Sequence, residues 1–96
     1  MEKRLINNDV NATLSNIDEK IFQRTSHFVD ELIKRRESLG WTQENLANES
    51  GLKQPAVARI EKMEKSGSVP KFDTLLKLVY AMGLDIKLVV KEDKTH

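Results

Sequence analysis

The residues best suited to chemistry lie between positions 42 and 62, in the stretch TQENLANESGLKQPAVARIEK. Its polar members include Thr42, Gln43, Lys53, Gln54, Arg59 and Lys62, with Pro55 beside Gln54. Amides, a guanidinium and ammonium groups bind through hydrogen bonds and charge. Nothing beside them supplies covalent chemistry. The chain has no Cys, and no Ser/His/Asp or Cys/His set and no phosphate-cradling glycine loop stands out. The pattern suits binding rather than catalysis, with no cofactor. His27 reads as a packed or solvated side chain and His96 as a terminal one, so no metal site is expected.

Two short helices must position these side chains. Thr42 is a suitable N-cap for the first, Leu46, Ala47 and Ser50 share one of its faces, and Gly51 stops it. The second fits Gln54 to about Lys62. Pro55 sits in its first turn, where a missing N–H costs nothing, and Val57 and Ile60 face inward. Ala47 is small where the helices approach closely, and Leu46, Leu52, Val57 and Ile60 form the seam that fixes their angle. The outer face of the second helix is left free, and the major groove of DNA is wide enough to admit a helix.

The flanks supply the frame. Met1 to Leu14 show no sustained periodicity and read as an arm, flexible or at most briefly extended. Ser15, with Asp18 and Glu19 after it, offers a cap. From Ile17 and Ile21 an apolar stripe continues through Phe28, Val29, Leu32, Ile33 and Leu39, on one long helix or two shorter ones, until Gly40. Trp41 reads as a core or staple residue, and Lys34 and Arg35 as a solvated basic face. Lys65 to Pro70 has loop composition. Phe72, Leu75, Leu76 and Val79 predict a further helix, closed by Gly83. In the tail, Leu84, Ile86, Leu88 and Val90 alternate with Asp85, Lys87 and Val89, a period of two that predicts a strand. A lone strand leaves its backbone groups unpaired. Its partner is a piece near Leu5 and Ile6 or, more simply, the same strand of a second copy, which makes Leu84, Ile86, Leu88 and Val90 dimerisation residues.

The 42–62 pattern resembles the phage-repressor (Xre/Cro-type) helix-turn-helix family. Gln43, the Leu46-Ala47 pair, Gly51, Val57, Ile60 and Glu61 carry the likeness, which covers about residues 31–83. It implies a mainly α, lambda-repressor-like bundle of four to five helices, here with a short C-terminal β-strand. By position, Gln54 opens the recognition helix and suits a base edge, adenine most favourably. Pro55 touches a thymine methyl or shapes the turn, and Arg59 takes guanine or a phosphate. Lys53 and Lys62 suit phosphates. Thr42 and Gln43, at the start of the preceding helix, meet a phosphate at its positive end. Arg36 and Glu61 are implied as an orienting ion pair between helices. Lys53 stands where such families often have a small hydroxyl cap.

The totals agree with one small soluble domain. The chain has 96 residues, 39% hydrophobic and 32% charged, with a net charge of +1. No signal peptide or membrane span is evident, so a cytoplasmic location and no membrane partner are expected. The layout divides into an N-terminal extension (1–24), the helix-turn-helix domain (25–83) and a tail (84–96) for dimerisation. It further resembles HigA-type antitoxins of type II toxin-antitoxin pairs. That likeness implies a protein that silences a small ribonuclease toxin by direct binding, with residues 1–24 as the toxin-facing part, and represses its own operon. The alternative is a stand-alone dimeric repressor. Either is expected to bind double-stranded operator DNA as a homodimer on an inverted repeat.

Overall fold

The computed structural model describes the backbone of residues 2–91 and the side chains of 16–91. It has five helices: α1 (Glu2–Ser38), α2 (Gln43–Ser50), α3 (Gln54–Glu61), α4 (Met63–Ser66) and α5 (Phe72–Ala81). No helix among the described residues is long and apolar enough to cross a membrane.

Local signals set the central boundaries. Gly40 takes φ +73° after α1, a left-handed conformation that costs a residue with a Cβ about 1–2 kcal/mol. Two residues later, Thr42 caps α2 with a reciprocal box. Its Oγ1 accepts from the Asn45 N–H at 3.0 Å, and Asn45 Oδ1 accepts from the Thr42 N–H at 2.9 Å. Gly51, at φ +78°, ends α2 by donating its N–H to the Ala47 carbonyl. Lys53 precedes α3 without a side-chain cap, and the start of α3 relies on proline instead.

These helices close around one core. Val29 and Leu32 of α1 meet Leu46 and Ala47 of α2, Val57 and Ile60 of α3, Met63 of α4, and Leu75, Leu78, Val79 and Met82 at the end of the chain's helical part. Phe28, Ile33, Leu39, Trp41, Leu52 and Ile86 pack around it, half-buried. Arg35 adds a polar tie. Its Nε and Nη2 both donate to the Met82 carbonyl, at 3.1 and 3.0 Å, so a cation closes the negative end of α5. Arg35 is therefore a helix cap, not part of a solvated basic face.

Several expectations are corrected. The segment read as an arm is the first part of a single 37-residue helix, which passes through Ser15 without using it as a cap. Helical backbone needs no apolar stripe, only hydrogen bonds four residues apart, so absence of periodicity did not exclude it. One long helix covers the region where two were possible. Within 65–70, Lys65 and Ser66 belong to the short α4. Phe72 is exposed, and Leu78 takes the inward place. The expected strand over Leu84–Val90 is not formed. Among the described residues of this single chain there is no strand, and Leu5 and Ile6, the partner considered within the chain, are held in α1. Residues 92–96, including His96, lie outside the described residues.

Candidate nucleic-acid interface

The turn between α2 and α3 brings the first residues of both helices together. Gln43 opens α2 and Gln54 opens α3. Gln54 Nε2 donates to Gln43 Oε1 at 3.0 Å, and Gln43 Nε2 donates to Glu61 Oε1 at 2.9 Å. Glu61 is held in turn by Arg36. Arg36 Nε donates to Glu61 Oε2 at 2.7 Å and Nη2 to Oε1 at 3.0 Å, while Nη1 donates to the Trp41 carbonyl at 2.7 Å. The result is a line of hydrogen bonds from α1 through the end of α3 and the start of α2 to the exposed amide of Gln54.

Arg36 and Glu61 are mostly enclosed, with side chains 13% and 9% exposed. Two parallel N–H···O bonds fix the plane of the guanidinium as well as its distance. The hydrogen bonds to Glu61 hold Arg36 above the ordinary arginine value, Coulomb attraction from Glu61 and Glu37 adds to this, and burial opposes it. A raised value in the folded state means that the pair's contribution to stability is fully present up to the ordinary arginine range and is lost only as pH rises through the raised one.

On α3, Val57 and Ile60 point into the core and Gln54, Pro55, Arg59 and the following Lys62 are exposed. Lys53 and Lys62 bracket the helix as exposed cations. Arg59 leans away from Gln54, with Nη2 at 3.5 Å from Ser68 Oγ, over a shallow hollow lined by Ile60, Val69, Pro70, Lys71 and Thr74. Thr42, Gln43, Glu44 and Gln54 line a second, open hollow at the start of α2. There the Thr42 hydroxyl is already engaged as a cap and the exposed Glu44 sits in the first turn, so the positive end of α2 is partly answered by its own carboxylate.

The structure thus gathers Gln43 and Gln54 in one spot and sets Arg59 at the other edge of the same exposed face, toward Ser68. The tail residues Leu84, Ile86, Leu88 and Val90 are elsewhere. Ile86 packs against the core, and it lines an apolar groove with Phe28, Phe72 and Leu75. Leu88 and Val90 are 93% and 83% exposed. Sequence reasoning missed the roles of Gln43 as a bridge and of Asn45 in the cap. The available signal was two glutamines at the first positions of helices joined by a tight turn. Among the described residues, no group of three or more His, Asp or Glu is placed to hold a metal ion.

A family model described as helix-turn-helix matches residues 32–89, more than half of the chain. An uncharacterised helix-turn-helix-type transcriptional regulator of Haemophilus influenzae is 43% identical over 61 residues, which are 64% of this chain. The match spans 59% of that relative's length. No solved structure matches the chain.

Proposed function

The chain belongs to the helix-turn-helix family, of the Xre type, and on that premise we propose that it is a sequence-specific DNA-binding regulator of transcription. The observation that carries this is the state of Gln54. It is exposed on the outward face of α3, yet its amide is already oriented by Gln43, Glu61 and Arg36. An amide held in this way meets the N6 and N7 edge of adenine at lower entropic cost than a free one. Arg59 on the same face suits guanine or a phosphate, Pro55 lies between them, and Lys53, Lys62 and the Thr42–Gln43 end of α2 suit phosphates. A cytoplasmic location goes with this reading.

On this reading two copies, joined by their tails, set two α3 helices on an inverted repeat. The unpaired, apolar Leu88 and Val90 support that arrangement. The test is selection of bound duplexes from a random pool, followed by affinity measurement at two salt concentrations. The expected result is an enriched inverted repeat whose affinity falls steeply with salt. Recovery of unenriched sequence would overturn it.

A second reading adds a protein partner and makes the chain the antitoxin of a ribonuclease toxin. One observation favours it. α1 runs on past the bundle, and there Ile17 and Ile21 are 48% and 51% exposed on a segment the DNA motif does not use. Co-purification with the product of a neighbouring short reading frame, and relief of the growth arrest that product causes, would support the antitoxin. DNA binding without either would leave the stand-alone repressor.

A further inference from the structure

We propose that Ser68, in the loop between α4 and α5, is a phosphorylation site, and that a phosphate placed there draws Arg59 off the outward face of α3 and weakens DNA binding. The effect on DNA rests on the reading above, whereas the modification itself does not.

The serines whose side chains are described are not alike. Ser26, Ser38, Ser50 and Ser66 all lie in helices. Ser26 is buried, and the hydroxyls of Ser38, Ser50 and Ser66 donate to the carbonyls of Arg35, Ala47 and Met63, three residues before each. Ser68 is exposed and outside any helix. Its Oγ accepts from Arg59 Nη2 at 3.5 Å, and among the described residues its own proton has no acceptor. The chain runs without helix from Gly67 to Lys71. An exposed, non-helical segment of this kind fits into an enzyme's cleft with its hydroxyl leading, and a serine tied to the turn behind it does not.

The surroundings suit the product. Arg59, Lys71 and the Thr74 hydroxyl line the hollow beside Ser68, and among the described residues no carboxylate lines it. Lys65 and Lys71 stand three residues before and after Ser68. In the reaction, Ser68 Oγ attacks the γ-phosphorus of a nucleoside triphosphate held by a protein kinase. The new O–P bond forms as the bond to the bridging oxygen breaks. The nucleoside diphosphate leaves, and the hydroxyl proton passes to a base of the kinase. The phosphoserine carries a charge of about −1.5 to −2 near neutral pH. Its oxygens take charge-assisted hydrogen bonds from Arg59 at the usual distance of about 2.7–2.9 Å, closer and stronger than the present 3.5 Å contact to a neutral hydroxyl. A guanidinium engaged in this way is not free for a guanine or a DNA phosphate. The added negative charge also stands at the edge of the face that DNA, itself an anion, must approach. Gln54, at the other edge and tied to Gln43, is left as it was.

The experiment has two arms. In the first, the full chain is isolated from growing and from starved cells of its native host and analysed by mass spectrometry. A fraction with phosphate on Ser68 is expected. Phosphate on no residue, or on other residues alone, overturns the site. In the second, the full chain is made with phosphoserine at position 68, incorporated during translation, and circular dichroism checks that it folds. Without DNA, the NMR signals of its Arg59 guanidinium should be shifted from those of the unmodified chain. On the selected duplex it should bind at least about tenfold more weakly, the scale of one lost base contact. In Arg59→Ala the same phosphate should weaken binding by a smaller factor, because no arginine is left to withdraw. Unchanged affinity, or an equal loss with and without Arg59, overturns the switch. Failure to select any duplex overturns the DNA-binding reading alone, since the mass spectra and the Arg59 signals judge the site without DNA.

Discussion

Gln54, the first residue of α3, donates its side-chain amide to Gln43, the first residue of α2, at 3.0 Å. Both are polar residues at the surface, where a single hydrogen bond in water contributes little. The contact gains weight from what stands behind it. Gln43 is fixed to Glu61 and Glu61 to Arg36, so the orientation of one exposed amide is set by an enclosed ion pair.

Removal of that support should be felt in stability first. Arg36→Met leaves Glu61 enclosed with only Gln43 as a partner. It is expected to cost about 3 kcal/mol, the lower end of the range for breaking a buried pair from one side. Urea unfolding measures it. The double variant Arg36→Met/Glu61→Gln should recover part of the loss, because no charge then remains unpaired, and purely additive losses would contradict the coupling.

On operator DNA, the outward residues should divide into two groups. Gln54→Ala and Arg59→Ala are each expected to cost roughly 1–3 kcal/mol on the selected duplex and much less on random DNA, if each reads a base. Lys53→Ala and Lys62→Ala should weaken both duplexes about equally and lower the salt slope by about one. Anisotropy titrations on the two duplexes distinguish the groups. Equal losses on both duplexes for Gln54→Ala would remove base readout from it.

Gly51 permits a prediction free of packing effects. Its φ is +78°, and a Cβ built there meets nothing within 4 Å. Gly51→Ala therefore brings only the left-handed backbone penalty, about 1–2 kcal/mol, and Gly51→Asn less. Both are read from the unfolding midpoint. A larger loss for alanine would mean that the turn rearranges.

The tail can be tested without disturbing the core. Deletion of Leu84–Val90 would also remove Ile86, which packs on the core. Leu88→Lys/Val90→Lys changes only exposed side chains. Sedimentation equilibrium should show a dimer for the natural chain and a monomer for this variant, with an unchanged helical spectrum. A dimer that survives both charges would place the contact elsewhere.

The α2–α3 unit was legible in the sequence because its boundaries are local chemistry. Thr42 caps, Gly40 and Gly51 turn left-handed, and Leu46, Val57 and Ile60 fall on inward faces. The first part of α1 was not legible, since a helical backbone needs no apolar period and residues 1–14 carry none in sequence. α4 is four residues long, too short for a period of 3.6 to appear. Phe72 and Leu78 exchanged places because periodicity gives a stripe but not its centre. The candidate recognition residues were found by spacing. The Gln43 bridge needed tertiary geometry, because residues 11 and 18 positions apart meet only once α2 and α3 are packed. The tail's period of two is present in the sequence, but a strand needs a second strand, and among the described residues of one chain there is none.

The most direct test of the central claim is an NMR titration of the isotopically labelled chain with its selected duplex, following side-chain N–H signals. Binding through the outward face of α3 predicts large shifts for the Gln54 amide and the Arg59 guanidinium, small ones for Arg35, which is engaged with the Met82 carbonyl, and retained Arg36 signals. Unmoved Gln54 and Arg59 signals in a saturated complex would contradict the account.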